Sequence, residues 1–482
     1  MDQPKSLLFV NAVIITVDRT RRIFRDGALL VRGNRIVQIN TTETVLHHLP
    51  PDEKNKTTVV DCARSILIPG LINTHAHLAQ SLLRGLAEDL PLHAWLCDAI
   101  WPLEANFEAE DGYVGARLTI AEMLKGGTTC FLEAMLTHRA GFGNVVRAVD
   151  ELGVRACLGK LVKVEETNGE IGLLDPRDRD VSSMSIASAL AAHEAHHGSY
   201  GDRLHVWMAA STPRGTPAEH HRAIGDAAAK HDVGLTMHCA EAPKDLDIYR
   251  TSYACTPARF CVENNLIGKG RKTVLAHMVN LDTDVDLPLL HDHEASISHN
   301  PASNCKLASG IAPVPQMIEH NVNVALGTDG APCNNSYDMF QEMRLAGLIH
   351  RGNMRDAKIL PAQQILDMAT INAARALGLD GEIGSLEVGK KADFILVKSN
   401  GLQCAPFDPH QMAEGGSGPV TTIVFSCTAA DVHTVVIDGR IVVKDRQLTV
   451  ADEEKILQQA RDAIPRIRRA ANVTAKPTRN YV

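Results

Sequence analysis

The stretch ILIPGLINTHAH (residues 66–77) is an apolar run that ends in two histidines, His75 and His77, spaced i and i+2. On an extended strand these positions point to the same side, so both imidazoles can converge on one cation at the strand's C-terminal end. Three later stretches repeat the pattern, an apolar run closing on a group able to bind a metal or work beside one. They are GLTMHCAE (234–241, with His238 and Glu241), TVLAH (273–277, with His277) and NVALGTDG (323–330, with Asp329). A buried, hydrogen-bonded side chain explains any one of these alone, but not four strand ends carrying His, His, His and Asp in series. Parallel barrels place their chemistry at the C-terminal ends of strands, so this placement selects a barrel over an open doubly wound sheet.

Outward from these motifs, residues 69–386 alternate short apolar runs with amphipathic helical stretches such as Glu108 to Lys125 and Pro361 to Leu377, the pattern of parallel βα units. Nothing resembles GxGxxG after a strand or GxxxxGK[ST], so a nucleotide-cofactor sheet is disfavoured. Before this region, LLFVNAVIITVDRTRRIFRDGALLVRGNRIVQI (7–39) reads as β-branched strands broken by turns, and Ala392 to Val397 and Val432 to Val443 have the same character near the other end. The expected architecture is α/β: a (β/α)8 TIM barrel over 69–386 and a small β-sandwich built from 1–68 and 387–450. A C-terminal helix and tail over 451–482 follow, the helix spanning Ala451 to Ala471.

The chain has 482 residues, long enough for one barrel and a smaller companion, and 45% are apolar against 22% charged, the balance of a folded globular protein. A formal charge of −8 offers no broad basic surface for nucleic-acid phosphates. No run approaches the roughly 18 to 20 apolar residues of a membrane helix, and the start lacks a signal-peptide pattern. Eleven cysteines, an odd number with no CxxC pair, read as thiols of a reducing compartment. A cytoplasmic protein acting on a small molecule follows, with no nucleic-acid or membrane partner.

The strings PGLINTHAHLAQSLLRGLAEDLPLHAWL (69–96), SHNPASNCKLASG (298–310), GTDGAPCNN (327–335) and GSLEVGKKADFILV (384–397) extend the likeness through almost the whole chain. In them the chain resembles the amidohydrolase superfamily, in its deaminase and chlorohydrolase (ATZ/TRZ-like) branch. It is most similar in pattern to the methylthioadenosine/S-adenosylhomocysteine deaminases; guanine and oxoguanine deaminases and triazine hydrolases stand further out. The resemblance implies that His75, His77, His238 and Asp329 bind one divalent ion, zinc as first choice, with iron(II) and manganese(II) tolerating the same donors. Glu241 becomes the proton shuttle, Asp329 both ligand and proton acceptor, and His277 a hydrogen-bonding partner of the nucleophile or reacting group. The fourth strand, Arg203 to Ser211, has no lysine to bridge two ions, so a single ion is expected; Lys160 and Lys163 lie on an earlier strand.

For the substrate, the resemblance places Trp95 over its tail and Glu104 on ribose hydroxyls. Where such relatives carry a ring-contacting histidine, this chain reads STPRGTP (211–217), with Arg214 in its space, suited to an exocyclic oxygen or turned to solvent. His299 lies near the rim and either lines the pocket or supports its loop. The activity implied is that of a hydrolase acting on non-peptide carbon–nitrogen bonds, a cyclic amidine deaminase. In it a hydroxide generated at the ion attacks a purine-like or nucleoside-like heterocycle and ammonia leaves. The alternative is a hydrolase expelling chloride, alkylamine or alkylthiol from a triazine-like ring. A non-catalytic barrel scaffold is the remote reading, opposed by the complete ligand set. A homodimer is what the resemblance implies for assembly.

Overall fold

The computed structural model describes residues 6–163, 181–214, 216–408 and 418–472. Eight parallel strands follow one another around a closed sheet: Leu71–His77, Thr128–Leu136, Arg155–Val162, Leu204–Ala210, Leu235–Cys239, Thr273–His277, Ser296–His299 and Asn323–Leu326. The eighth strand breaks at Gly327 and Thr328 and resumes as Asp329–Gly330, which pairs with Ala76 and His77 of the first strand and so closes the barrel. The break needs glycine. A Cβ at position 327 would stand 2.5 Å from Asn300 Oδ1 and 2.8 Å from the His75 Cβ, so any side chain here would push the first and eighth strands apart. Every residue of the third and fourth strands is buried, as expected of a parallel sheet covered by helices on the outside and filled by side chains within.

The helix expected from Glu108 spans Ala109–Lys125, with Glu108 and Asp111 forming a capping box at its start. The stretch expected as one helix over Pro361 to Leu377 is two, Ala362–Met368 and Ile371–Ala376. Thr370 departs from helical geometry (φ −135°, ψ −94°), its hydroxyl donates back to the Leu366 carbonyl at 2.6 Å, and the neighbouring Ala369 carbonyl accepts from the Ile72 amide. A tertiary bond to the first barrel strand overrides helical propensity at that point.

Strands from the two chain ends form a separate nine-stranded sheet. Its seam is the antiparallel pairing of Ile66–Pro69 with Phe394–Val397, and its core includes Leu7, Phe9, Leu67, Phe394 and Val436. At that seam Gly70 turns the chain into the barrel; a Cβ there would collide with Thr129 Oγ1 at 2.0 Å. The buried Arg155, at the start of the third barrel strand, grips Asp393 through Nε (2.8 Å) and Nη2 (3.2 Å), which ties the two sheets together. The C-terminal helix, Glu453–Ala471, starts where the Asp452 side chain caps the Lys455 amide. It lies against Ala109–Lys125 through the Lys125–Glu453 and Arg466–Asp111 ion pairs. Among the described residues, no helix is long and apolar enough to cross a membrane.

Candidate metal centre and active site

Barrel geometry brings the strand-end groups together. His75 and His77 both turn inward from the first strand, and His77 Nε2 lies 3.1 Å from His238 Nε2 and 3.3 Å from Asp329 Oδ1. His75 Nε2 is 3.5 Å from the same Asp329 oxygen. One donor atom each from His75, His238, His277 and Asp329 falls within 4.8 Å of all the others. His277 Nε2 stands 3.8 Å from Asp329 Oδ2 and 3.8 Å from Glu241 Oε1, so five side chains and the Glu241 carboxylate face one small volume. His277 (φ 75°) and Asp329 (φ 63°) both take left-handed backbone conformations, the kind of local strain that gathers at functional sites.

Neighbouring groups orient this set. His277 Nδ1 donates to Asn304 Oδ1 at 2.8 Å, which turns Nε2 toward the cluster. Asp329 accepts from Ser303 Oγ at 2.6 Å and from the Gly330 amide at 2.8 Å. Glu133, on the second strand, accepts from the amides of Leu78 (2.5 Å) and Met135 (3.1 Å) and lies 3.8 Å from His77 Nδ1. Burial pushes the His75 pKa down to about 4 and His238 well below its usual value, so both imidazoles are neutral at pH 7. Burial works against ionising Asp329, but the surrounding imidazoles of His75, His77 and His277 outweigh it and hold the carboxyl well below the usual range. For His77 burial disfavours the proton, and the Asp329 and Glu133 carboxylates more than compensate, raising its pKa.

Both ring nitrogens of His75 and Nε2 of His277 are buried without a hydrogen bond. Left so, each would cost about 1–3 kcal/mol. Neutral imidazoles with open lone pairs around an ionised carboxylate are the donor set of a divalent cation, so these residues fit one.

A cavity opens on the cluster, its floor formed by His77, His238, Glu241 and Asp329 and its walls including Trp95 and Arg214. A π-helical turn, Trp95–Ile100, follows the short helix Leu92–Ala94 in the segment after the first strand and places Trp95 over this space. Glu104 is buried behind the wall and accepts from Gln80 Nε2 at 3.0 Å, and Gln80 itself lines the cavity. Arg214 is only 7% exposed, so its side chain is held within the protein. His299 is not brought to the cavity. Ser298 takes the inward position, bonding Thr74 Oγ1 at 2.7 Å, and strand alternation sends His299 outward to face His350 with the two Nε2 atoms 3.1 Å apart. Lys160 is engaged at 2.9 Å by the Ser183 carbonyl, and Lys163 lines the cavity wall.

Sequence reasoning passed over Glu133, Ser303 and Asp245, and it places Asn304 close to the site without giving it a catalytic role. The first carried a usable signal, a lone carboxylate inside the apolar strand Thr128–Leu136. Ser303 and Asn304 sit in the polar stretch after the seventh strand, where only the fold shows which side chains turn to the site.

The family model described as "Amidohydrolase family" matches residues 66–442. The 5'-deoxyadenosine deaminase of Methanothermobacter thermautotrophicus is 34% identical over 459 residues, which span 95% of this chain and 98% of the relative. The 5-methylthioadenosine/S-adenosylhomocysteine deaminase of Syntrophomonas wolfei is 36% identical over 456 residues, 95% of this chain and 98% of that one. Among solved structures, an adenosine deaminase from Xanthomonas campestris with bound zinc superposes with a TM-score of 0.85 at 28% identity, covering 96% of this chain and 98% of that chain. The zinc complex of an atrazine chlorohydrolase from Arthrobacter aurescens gives a TM-score of 0.83 at 23% identity over 95% and 100% of the two chains, a likeness of fold.

Proposed function

The chain belongs to the amidohydrolase family, and from that premise we propose that it is a metal-dependent aminohydrolase that removes ammonia from a purine-like ring carried on a sugar. The observation that carries this reading is the meeting of the His77 and His238 imidazoles, an ionised Asp329 and the Glu241 side chain on the floor of one cavity. Similarity to adenosine-type deaminases over nearly the full chain supports the ring and the sugar.

His75, His77, His238 and Asp329 would hold the ion. The tightest four-donor grouping contains His277 instead of His77. We favour His77, because its Nε2 faces His238 Nε2 at 3.1 Å, a separation at which two lone pairs repel unless a cation or proton lies between them. His277 lies between Glu241 and Asp329, where its Nε2 accepts a hydrogen bond from the attacking water or the reacting group. A divalent ion held by these residues would lower the pKa of a water bound to it to about 7. Zinc is the first candidate, as its presence in related structures supports.

In the reaction one water is consumed and ammonia released: a C–O bond forms at the ring carbon and its C–N bond breaks. Asp329 takes the proton from the water. Glu241 passes a proton to the ring nitrogen beside the attacked carbon, so no negative charge is stranded on the ring, the departing amine receives the proton held by Asp329, and the remaining hydroxyl proton returns to Glu241 as the ring carbonyl forms. Trp95 covers the substrate and excludes water, and Glu104 acts on the sugar side through Gln80.

Arg214 favours a second reading within the same chemistry. It lines the cavity and offers only donors, which suits an exocyclic oxygen on a guanine-like, pterin-like or triazine ring. Release of ammonia, chloride and alkylamine by the zinc-loaded protein, measured across adenosine, 5'-deoxyadenosine, 5'-methylthioadenosine, S-adenosylhomocysteine, guanine, a pterin and chlorotriazines, tests both. Turnover of an adenosine-type nucleoside is the expected result, and release of chloride or alkylamine from triazines with no purine deaminated would refute it. A homodimer in a reducing cytoplasm, with folding units at 1–68 plus 387–450, 69–386 and 451–482, completes the proposal.

A further inference from the structure

Arg214 occupies a place that an arginine tolerates only with a dedicated partner. It follows the fourth barrel strand, is buried, and grips Asp245 side-on, Nε to Oδ1 at 2.6 Å and Nη2 to Oδ2 at 2.5 Å. The same Nη2 reaches Glu241 Oε2 at 3.3 Å. Asp245 is held in turn by the backbone, its Oδ2 accepting from the amides of Glu241 and Ala242 at 2.9 Å each. A ring of contacts results: Glu241 main chain, Asp245 carboxylate, Arg214 guanidinium, Glu241 carboxylate.

This ring restrains a side chain that is otherwise free to rotate about several torsions. With Oε2 tied to Arg214, Oε1 is the oxygen left, and it lies 3.8 Å from His277 Nε2, on the side of the metal cluster. Asp245 has a second consequence. An unpaired guanidinium beside a divalent-cation site would repel the ion, whereas the side-on carboxylate cancels that charge while leaving one N–H of Nη2 for Glu241. Burial alone would keep Asp245 from ionising, and Arg214 with the backbone amides overcomes it and holds the carboxyl well below its usual range.

We propose that Arg214 is a positioning residue for the reaction: it fixes the Glu241 carboxylate so that Oε1 carries the proton, with Asp245 as the counter-charge that makes a cation tolerable at this distance from the metal. The proposal rests on the role given to Glu241 above. It requires a fork and not merely a positive charge, since an ammonium cannot bind both Asp245 oxygens side-on and still direct a fixed N–H at Glu241.

Two variants test it. Arg214→Lys keeps the charge and loses the fork; Arg214→Met with Asp245→Leu removes both charges and leaves no buried ion unpaired. Crystal structures of the zinc-loaded wild type and both variants are compared, with zinc content and steady-state kinetics on the best substrate. In the variants Glu241 is expected to leave its wild-type position or occupy more than one conformer, with zinc content unchanged. The same variants should show kcat lowered on the order of a hundredfold and KM within about twofold. A Glu241 carboxylate that keeps its place in both variants, or a kcat within twofold of wild type, overturns the proposal. A wild-type protein that deaminates nothing refutes the proposed function instead, and the crystallographic comparison still decides the role of Arg214.

Discussion

Replacing Asn304 by leucine removes the acceptor that holds the His277 ring in one tautomer. In the native site His277 Nδ1 donates to Asn304 Oδ1 at 2.8 Å, and the other polar neighbour of Nδ1 is Asn300 Nδ2 at 3.3 Å. The Asn300 amide is oriented by Ser298, whose hydroxyl donates to Asn300 Oδ1 at 3.1 Å, so Nδ2 remains a donor. With Asn304 gone, Nδ1 faces a donor alone and the stable tautomer carries its proton on Nε2, the atom 3.8 Å from both Glu241 Oε1 and Asp329 Oδ2. The acceptor offered to the reacting group is thereby replaced by a donor pinned to a carboxylate. Loss of a catalytic hydrogen-bond or proton partner costs about a hundred- to ten-thousandfold in rate, roughly 3 to 5 kcal/mol of barrier. Asn304→Asp keeps an acceptor and is expected to retain more activity than Asn304→Leu. Initial rates of ammonia release, with zinc content measured on the same samples, check this. An Asn304→Leu enzyme with full zinc and kcat within threefold of wild type refutes the tautomer argument.

Glu241→Gln should lower kcat by about a hundred- to ten-thousandfold with zinc content and melting temperature unchanged, since the amide oxygen still accepts from Arg214; retained turnover in the same ammonia assay counts against the proton-shuttle role. His299→Gln should leave kcat and KM within twofold while lowering the melting temperature, because the ring faces His350 and not the cavity; a raised KM would put it back among the substrate contacts. Burial raises the Glu342 pKa to about 8 from the ordinary 4.5, so its stabilising, protonated state is complete below pH 4.5 and lost as pH rises through 8. Glu342→Gln should therefore flatten the fall in urea-unfolding free energy between pH 5 and 9, about 1.4 kcal/mol for each pK unit removed; an unchanged slope contradicts the assignment.

The metal-site motifs were legible because they are local. An apolar run ending in His75 and His77 needs only the two-residue repeat of a strand, and the same holds for the runs ending at His238, His277 and Asp329. The barrel followed from where those groups sit on their strands, and pairing of the two chain ends from their shared strand character. What escaped depends on contacts between distant segments. Asn304 matters only because it meets His277, Glu133 because it backs His77 across two strands, and Arg214 because Asp245 stands 31 positions on to receive it. His299 stayed open between pocket and loop for a related reason: closeness in sequence to Ser298 and Asn300 says nothing of which face a strand residue takes until one neighbour is known to point inward. The split of the helix at Thr370 likewise has a tertiary cause, the Ile72 amide bonding to Ala369.

Anomalous diffraction at the zinc absorption edge, on crystals of the zinc-loaded protein, bears most directly on the catalytic centre. One strong peak is predicted within about 2.0–2.3 Å of His75, His77, His238 and Asp329 together, with His277 further out. No peak in the barrel, or a peak bound by His277 in place of His77, would contradict the account.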